Sequence, residues 1–318
     1  MIAHIILIIV GFILLIKGAD FLVEGSSKIA KKFRIPEIII GLTIVSIGTS
    51  MPELFVSITS AIDGYPDMAV GNVVGSNLCN LLLILGLSAI IKPIEFKRET
   101  RLIEIPITLA TTVIFFVLAN MGLDITKKEG IILTVLFLLF IGYTIIMARK
   151  GEKFEKKDAL IEVDLNGKLS NIKSILSILF GVAALKIGGD FVVEHSVTIA
   201  EMIGISEKVI SLTIIAIGTS LPELVTSVTA AFKGDSDIAI GNILGSNIFN
   251  ILLILGVSAI ITPVKYSMSY NNQILVLIIG TILLALFPFI GAKNKMTRTN
   301  GFSYLIIYAI YMAGLFIA

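Results

Sequence analysis

Charge is what this chain has least of. Only 15 % of its 318 residues are Asp, Glu, Lys or Arg, where a soluble domain carries about 25 %. That shortage excludes a water-facing surface over most of the chain. Cysteine is nearly absent too: Cys79 stands alone, which excludes an intramolecular disulfide. The first segment, MIAHIILIIV, lacks both a basic start and a small-residue cleavage site, so it reads as a retained helix and not a signal peptide. The net charge of +2 is uninformative as a total, and no nucleic-acid partner is expected.

What the chain has is long apolar runs, with 56 % of its residues hydrophobic. Ten stretches approach or exceed the ~20 residues needed to cross a bilayer core about 30 Å thick: 2–27, 37–62, 67–91, 102–121, 129–147, 173–195, 207–232, 237–261, 272–291 and 302–317. The expected fold is an all-α integral membrane protein with ten transmembrane helices. With the N-terminus outside, the loops after odd-numbered helices hold about 19 Lys and Arg and the others about 4 (Lys127, Lys128, Lys208 and Lys265), as the positive-inside rule requires. This places both termini outside and the central loop in the cytoplasm.

The chain also contains itself twice. Residues 37–93 align with 207–263 at an offset of 170 without a gap, with about 34 of 57 positions identical, and GADFLVEGSSKIA from Gly18 matches GGDFVVEHSVTIA from Gly188. Five helices per copy is an odd number, so the second copy enters the membrane from the opposite side. The expected organisation is a first five-helix repeat over 1–150, a cytoplasmic linker over 151–172 and a second, inverted repeat over 173–318, forming one transport unit. Inverted repeats of this kind recur in secondary transporters, with the site near the midplane where they meet.

Two motifs recur in both copies. GTSMPEL (48–54) and GTSLPEL (218–224) lie in mid-span. Pro52 and Pro222 each remove a helical hydrogen bond, loosening the backbone around Ser46 to Gly48 and Ala216 to Gly218, and Gly48 and Gly218 ease the break. A hydroxyl pair follows (Thr49 and Ser50; Thr219 and Ser220), then a carboxylate, Glu53 or Glu223. A charge buried at that depth costs at least ~2.5–3.5 kcal/mol, and two facing carboxylates also repel. A cation shared between them removes both penalties; the bland alternative is two protonated glutamates bonded to neighbouring helices. GNVVGSNLCN (71–80) and GNILGSNIFN (241–250) supply polar stripes, Asn72, Ser76, Asn80 and Asn242, Ser246, Asn250, at i, i+4, i+8 on one helical face. Asn72 and Asn242 read as interhelical glue, while Ser76, Asn80, Ser246 and Asn250 sit deeper and face the glutamates. The glycines Gly71, Gly75, Gly241 and Gly245 let a neighbouring helix approach closely. An all-oxygen ligand set suits Ca²⁺, Na⁺ or Mg²⁺ and argues against Zn²⁺ or copper, and Ca²⁺ tolerates the flexible geometry best.

GTSxPEL followed by GNxxGSNxxN, present twice, resembles the two alpha-repeats of the sodium/calcium exchanger family within the calcium/cation antiporter superfamily. The resemblance covers the whole chain and implies exchange of Na⁺ for Ca²⁺ by alternating access in the cell membrane, with broken helices 2, 3, 7 and 8, no enzymatic activity and no cofactor. By position it implies ion binding by Glu53, Glu223, Thr49, Ser50, Thr219 and Ser220, the backbone of Ser46 and Ala216, and Ser76, Asn80, Ser246 and Asn250, the metal ligands proper being Glu53, Glu223, Thr49 and Thr219. The first and sixth helices, with Asp20 and Asp190, would be the sliding pair. Many relatives, including potassium-dependent exchangers, have an aspartate where this chain has Asn250; the site charge here is −2 and transport is expected to ignore K⁺. The partners are Ca²⁺, Na⁺ and the lipid bilayer, and the chain is expected to act as a monomer.

Other readings are a proton-coupled Ca²⁺ exchanger using the same glutamates, and a cation channel using the same acidic pair. An intramembrane hydrolase finds no nucleophile–base pair in the motifs. Lys17 with Asp20 and Lys186 with Asp190 can pair along their own helices. His4 and His195 have no motif partners. DLNG in the central loop lacks the glutamate a calcium loop requires, since Ile175 stands in its place.

Overall fold

The computed structural model describes residues 1–62, 66–155, 167–203, 216–290 and 294–317. Among them the long elements are all helices: α1, Ile2–Phe33; α2, Glu37–Thr49; α3, Met51–Ile62; α4, Ala69–Ile91; α5, Thr100–Gly122; α6, Lys127–Glu155; α7, Gly167–Met202; α8, Leu221–Lys233; α9, Ser236–Ile261; α10, Met268–Phe289; and α11, Arg298–Ile317. Seven are long and apolar enough to cross a bilayer, and the bent pair α2 and α3 makes eight. Of the other two expected spans, 207–232 begins in residues outside those described and continues into α8. The other, 302–317, is α11, whose 20 residues reach about 30 Å. Helix α6 runs on to Glu155 and α7 begins at Gly167, so helical structure enters both ends of the expected linker, and 156–166 lies outside the described residues.

Many polar side chains are buried, and many large apolar ones face outward. Glu53, Glu223, Asn77, Asn80, Asn247 and Asn250 are buried, while Ile5, Ile9, Phe12 and Ile16 of α1 and Ile131, Val135, Leu138 and Leu139 of α6 are exposed. In water that arrangement would collapse. In a bilayer it is required, because hydrocarbon offers polar groups no partners.

The inversion is visible in the pairing of α1 with α7. A Cβ on Gly11 would stand 2.8 Å from the Gly188 carbonyl, and one on Gly18 2.9 Å from that of Gly181. The helices are therefore antiparallel and touch backbone to backbone, which only glycine permits. The 170-residue offset turns Gly11 into Gly181 and Gly18 into Gly188, exchanging the two contacts about a pseudo-two-fold axis. The pair has its own apolar cluster, including Leu15, Leu22, Leu185 and Val192, apart from the larger cluster built around α4 and α9.

The inner helices are interrupted in two ways. Between α2 and α3 the axis bends by 48° at Ser50 (φ −84°, ψ 10°), and Ser220 before α8 has nearly the same backbone (φ −89°, ψ 6°). Pro52 and Pro222 thus stand in the first turn of a new half-helix, a position where a missing N–H costs nothing. Helices α4 and α9 do not break: each widens into a π-helical stretch, Cys79–Ile84 and Asn250–Leu255. Such insertions leave carbonyls without their usual partners and cluster at functional sites.

Two short clasps close the ends. β1 (Ile94–Glu95) pairs antiparallel with β4 (Lys295–Met296), and β2 (Asp124–Ile125) with β3 (Val264–Lys265). Leu123 and Asn294 precede β2 and β4 with φ of 59° and 62°. Each strand then leads into a reciprocal helix cap, Thr126 with Glu129 and Thr297 with Asn300. The repeat therefore extends past residue 93 at an offset of 171, in geometry that few identical residues betray.

Candidate functional site

Four elements meet at the centre: the α2–α3 bend, α4, the start of α8, and α9. Glu53 and Glu223 are each in the first turn of a half-helix, where the helix dipole favours an anion by about 0.3–1 kcal/mol. Both are completely buried, and among the described residues neither has an ion-pair partner. Because burial of a carboxylate costs at least ~2.5–3.5 kcal/mol, the dipole alone does not balance it. The two carboxylates are also close enough to repel each other.

The hydroxyls predicted from the motifs gather on these carboxylates. Ser76 and Ser220 face Glu53; Ser50, Thr49 and Ser246 face Glu223. Only one of these contacts closes to a hydrogen bond: Ser50 Oγ donates to Glu223 Oε1 at 2.7 Å. Thr49 Oγ1 instead donates to Asn242 Oδ1 at 3.1 Å and to the Ser46 carbonyl at 3.3 Å.

The remaining oxygens are left open. Both oxygens of Glu53, Oε2 of Glu223, the hydroxyls of Ser76, Thr219, Ser220 and Ser246, and Oδ1 of Asn80 and Asn250 are buried without a hydrogen-bond partner. Native interiors rarely tolerate more than a few such atoms. Of the sixteen such atoms among the described residues, these nine belong to residues singled out in the motifs, and each of the nine is a hard oxygen suited to Ca²⁺ or Na⁺. No cluster of three or more His, Cys, Asp or Glu that could hold a metal ion exists among the described residues; the charge among these oxygens belongs to Glu53 and Glu223, and the others are neutral.

The two repeats bond the carbonyls around their helix breaks differently. The Ser46 carbonyl is not loosened: it accepts from both Ser50 N–H at 3.0 Å and Thr49 Oγ1. Pro52 lacks an N–H for the residue four positions back, so the carbonyl freed by it is that of Gly48. Ala216 opens the short turn Ala216–Gly218, and Ser220 N–H bonds to the next carbonyl, that of Ile217, at 3.1 Å.

Motif reading alone missed the residues that set this geometry. Asn77 and Asn247 bind each other's backbone, Nδ2 to carbonyl, at 3.2 and 3.3 Å. Asn80 Nδ2 donates to Asn247 Oδ1 at 3.1 Å, and Asn250 Nδ2 to Asn77 Oδ1 at 3.0 Å. This lock between the repeats consumes the amide nitrogens of Asn80 and Asn250 and leaves their oxygens free as acceptors. The available signal was that Asn77 and Asn247 recur identically in both motifs and, inside a membrane, must find a partner. Asn72 and Asn242 do act as glue, donating to Ser57 Oγ at 3.0 Å and Ser227 Oγ at 2.9 Å. Gly241 and Gly245 let α9 press on α2: a Cβ on them would lie 2.7 Å from the carbonyls of Ile38 and Leu42. Lys186 pairs with Asp190 at 2.6 Å as expected, but Asp20 pairs with Lys233 of α8 at 2.9 Å and not with Lys17, because the fold brings a better-placed cation to it.

The family model described as "Sodium/calcium exchanger protein" matches residues 3–146 and again 173–317. The chain belongs to the sodium/calcium exchanger family. The sodium/calcium exchanger MaX1 of Methanosarcina acetivorans is 33 % identical over 349 aligned positions covering 98 % of both chains. The inner membrane protein YrbG of Escherichia coli (strain K12) is 38 % identical over 288, covering 87 % of each. A structure of the sodium-calcium exchanger NCX_Mj, soaked with Na⁺ and Ca²⁺, superposes with a TM-score of 0.85 at 32 % identity and covers 99 % of both chains. This exchanger-family protein is thus a multi-pass membrane transporter and not an enzyme, with two copies of the family unit in one chain.

Proposed function

We propose that this protein exchanges Na⁺ for Ca²⁺ across a cell membrane by alternating access, with Glu53 and Glu223 holding the transported cation between them. The observation that carries the reading is the set of open buried oxygens around two carboxylates that have no ion-pair partner among the described residues. An ion there neutralises the pair; several Na⁺ do so as well as one Ca²⁺. The empty site retains two uncompensated charges in low dielectric, so only loaded forms cross, which couples the two fluxes. Thr49, Ser50, Thr219, Ser220, Ser76, Ser246, Asn80 and Asn250 complete the coordination. Both repeats of one chain contribute, so a monomer suffices.

Asn250 keeps the site at −2, and its nitrogen is committed to Asn77. Transport is therefore independent of K⁺. The termini lie outside and the central loop inside, as the distribution of basic residues demands.

The test is radioactive Ca²⁺ uptake into Na⁺-loaded proteoliposomes diluted into choline, K⁺ or proton-gradient buffers. Uptake that needs internal Na⁺ and is indifferent to K⁺ supports the reading. Uptake driven only by a pH gradient would make the glutamates proton carriers and overturn Na⁺ coupling. Currents far above carrier turnover, without counter-flow, would make the protein a channel.

A further inference from the structure

The two histidines lie outside both repeated motifs, on different helices, and they meet. His4, near the start of α1, and His195, toward the end of α7, place their Nδ1 atoms 3.3 Å apart. Their ring centroids are 5.1 Å apart with planes inclined at 64°. That spacing is at the long end of the hydrogen-bond range, and two imidazoles joined in line by N–H···N at that distance would have centroids about 5.6 Å apart. It fits an edge of a metal tetrahedron. With Zn–N of about 2.0–2.1 Å, two ligand nitrogens stand about 3.3–3.4 Å apart and their ring centroids about 5.2 Å apart.

Packing does not explain the pair. The 170-residue offset carries His4 to Ser174 and His195 to Gly25, and those residues make the equivalent contact at the other end of the two helices. A Cβ on Gly25 would lie 2.9 Å from the Ser174 carbonyl. The same close approach of α1 and α7 is thus achieved at that end with a glycine and a serine.

We propose that His4 and His195 form a binding site for a divalent cation of the Zn²⁺, Ni²⁺ and Cu²⁺ class, separate from the oxygen-lined centre. Imidazole nitrogen selects such ions over Ca²⁺, so the site does not draw on the transported cation. The histidines are partly buried, and Phe191 packs against His195 with centroids 5.9 Å apart, leaving water to complete the coordination. An ion bound there fastens α1 to α7.

The experiment uses the full chain, purified through a tag without histidine and saturated with Ca²⁺ to occupy the centre. Zn²⁺ binding is followed by calorimetry and by the unfolding midpoint, and Cu²⁺ loading by pulsed electron paramagnetic resonance. Wild type is expected to bind Zn²⁺, unfold several degrees higher with excess ion, and show two coordinating imidazoles with Cu²⁺. His4→Gln and His195→Gln each lose the shift and one imidazole signal, yet retain Ca²⁺ uptake. The double variant Glu53→Gln, Glu223→Gln keeps Zn²⁺ binding. Zn²⁺ binding that survives either histidine substitution unchanged, disappears in the glutamate variant, or is absent from wild type at millimolar ion overturns the proposal.

Discussion

Ser50 donates its hydroxyl to Glu223 at 2.7 Å across the boundary between the two repeats, while the corresponding hydroxyl, Ser220, and both oxygens of Glu53 remain without a partner. A duplicated site is thus held asymmetrically: one carboxylate is fixed by the opposite repeat and the other is open. Because Glu223 of the second repeat is held by Ser50 of the first, the second repeat does not form this arrangement alone.

Glu53→Gln and Glu223→Gln are each expected to abolish Ca²⁺ exchange, with Ca²⁺ affinity reduced more than about 100-fold, since loss of a charged contact worth about 3 kcal/mol corresponds to that factor. The same variants should unfold no lower than wild type without Ca²⁺, because a neutral side chain is cheaper to bury. Ca²⁺ flux in proteoliposomes and the Ca²⁺-dependent shift in unfolding midpoint measure both. Retained Ca²⁺ transport in either variant sinks the assignment.

The asparagine lock should behave as one unit. Asn77→Ala and Asn247→Ala are each expected to destabilise the detergent-solubilised protein by about 1–2 kcal/mol. The double variant should cost less than the sum, with a coupling of about 1 kcal/mol. Additive losses in thermal unfolding would show that the reciprocal hydrogen bonds are not energetically linked.

Glycine at the α2–α9 contact is a steric requirement. Gly241→Val should lower stability by about 1–3 kcal/mol and depress transport, since its Cβ would collide with the Ile38 carbonyl and the Gly41 Cα at 2.7 and 2.9 Å. Gly142→Ala in α6, where a Cβ meets nothing within 4 Å, should be neutral or slightly stabilising. Unfolding midpoints of the two variants, compared side by side, decide the point.

In the segment between α4 and α5, Lys97 pairs with Asp237 in the first turn of α9 at 2.5 Å. Partial burial pulls the Lys97 ammonium down, but the hydrogen bond and charge of Asp237 outweigh it and hold the group above its ordinary value. A raised lysine contributes stability that is fully present below about pH 10.4 and lost as pH climbs through the folded value. Wild type should therefore unfold higher than Lys97→Gln at pH 8, and the gap should close in strongly alkaline buffer. A gap independent of pH would assign the effect to packing of the lysine stem.

The membrane class, the duplication, the two acidic motifs and the family were all legible in the sequence, because each is a local or periodic property. Apolar run length reports the bilayer, a fixed 170-residue offset reports the repeat, and a carboxylate after Pro in mid-span reports a site that hydrocarbon would otherwise forbid. Which hydrogen bond each side chain makes was decided only by tertiary structure. Asn77 and Asn247 are 170 residues apart, and Ser50 and Glu223 are 173 apart; no spacing rule acts over such distances. Proline position shows the boundary between the two. Its missing N–H was certain from the sequence, but whether Pro52 kinks one helix or begins another depended on Ser50 leaving the helical region. Asp20 makes the same point, since Lys17 was its neighbour in sequence and Lys233 became its partner in space. Local chemistry selected the groups that must be satisfied inside the membrane, and packing of the inverted copies selected what satisfies them.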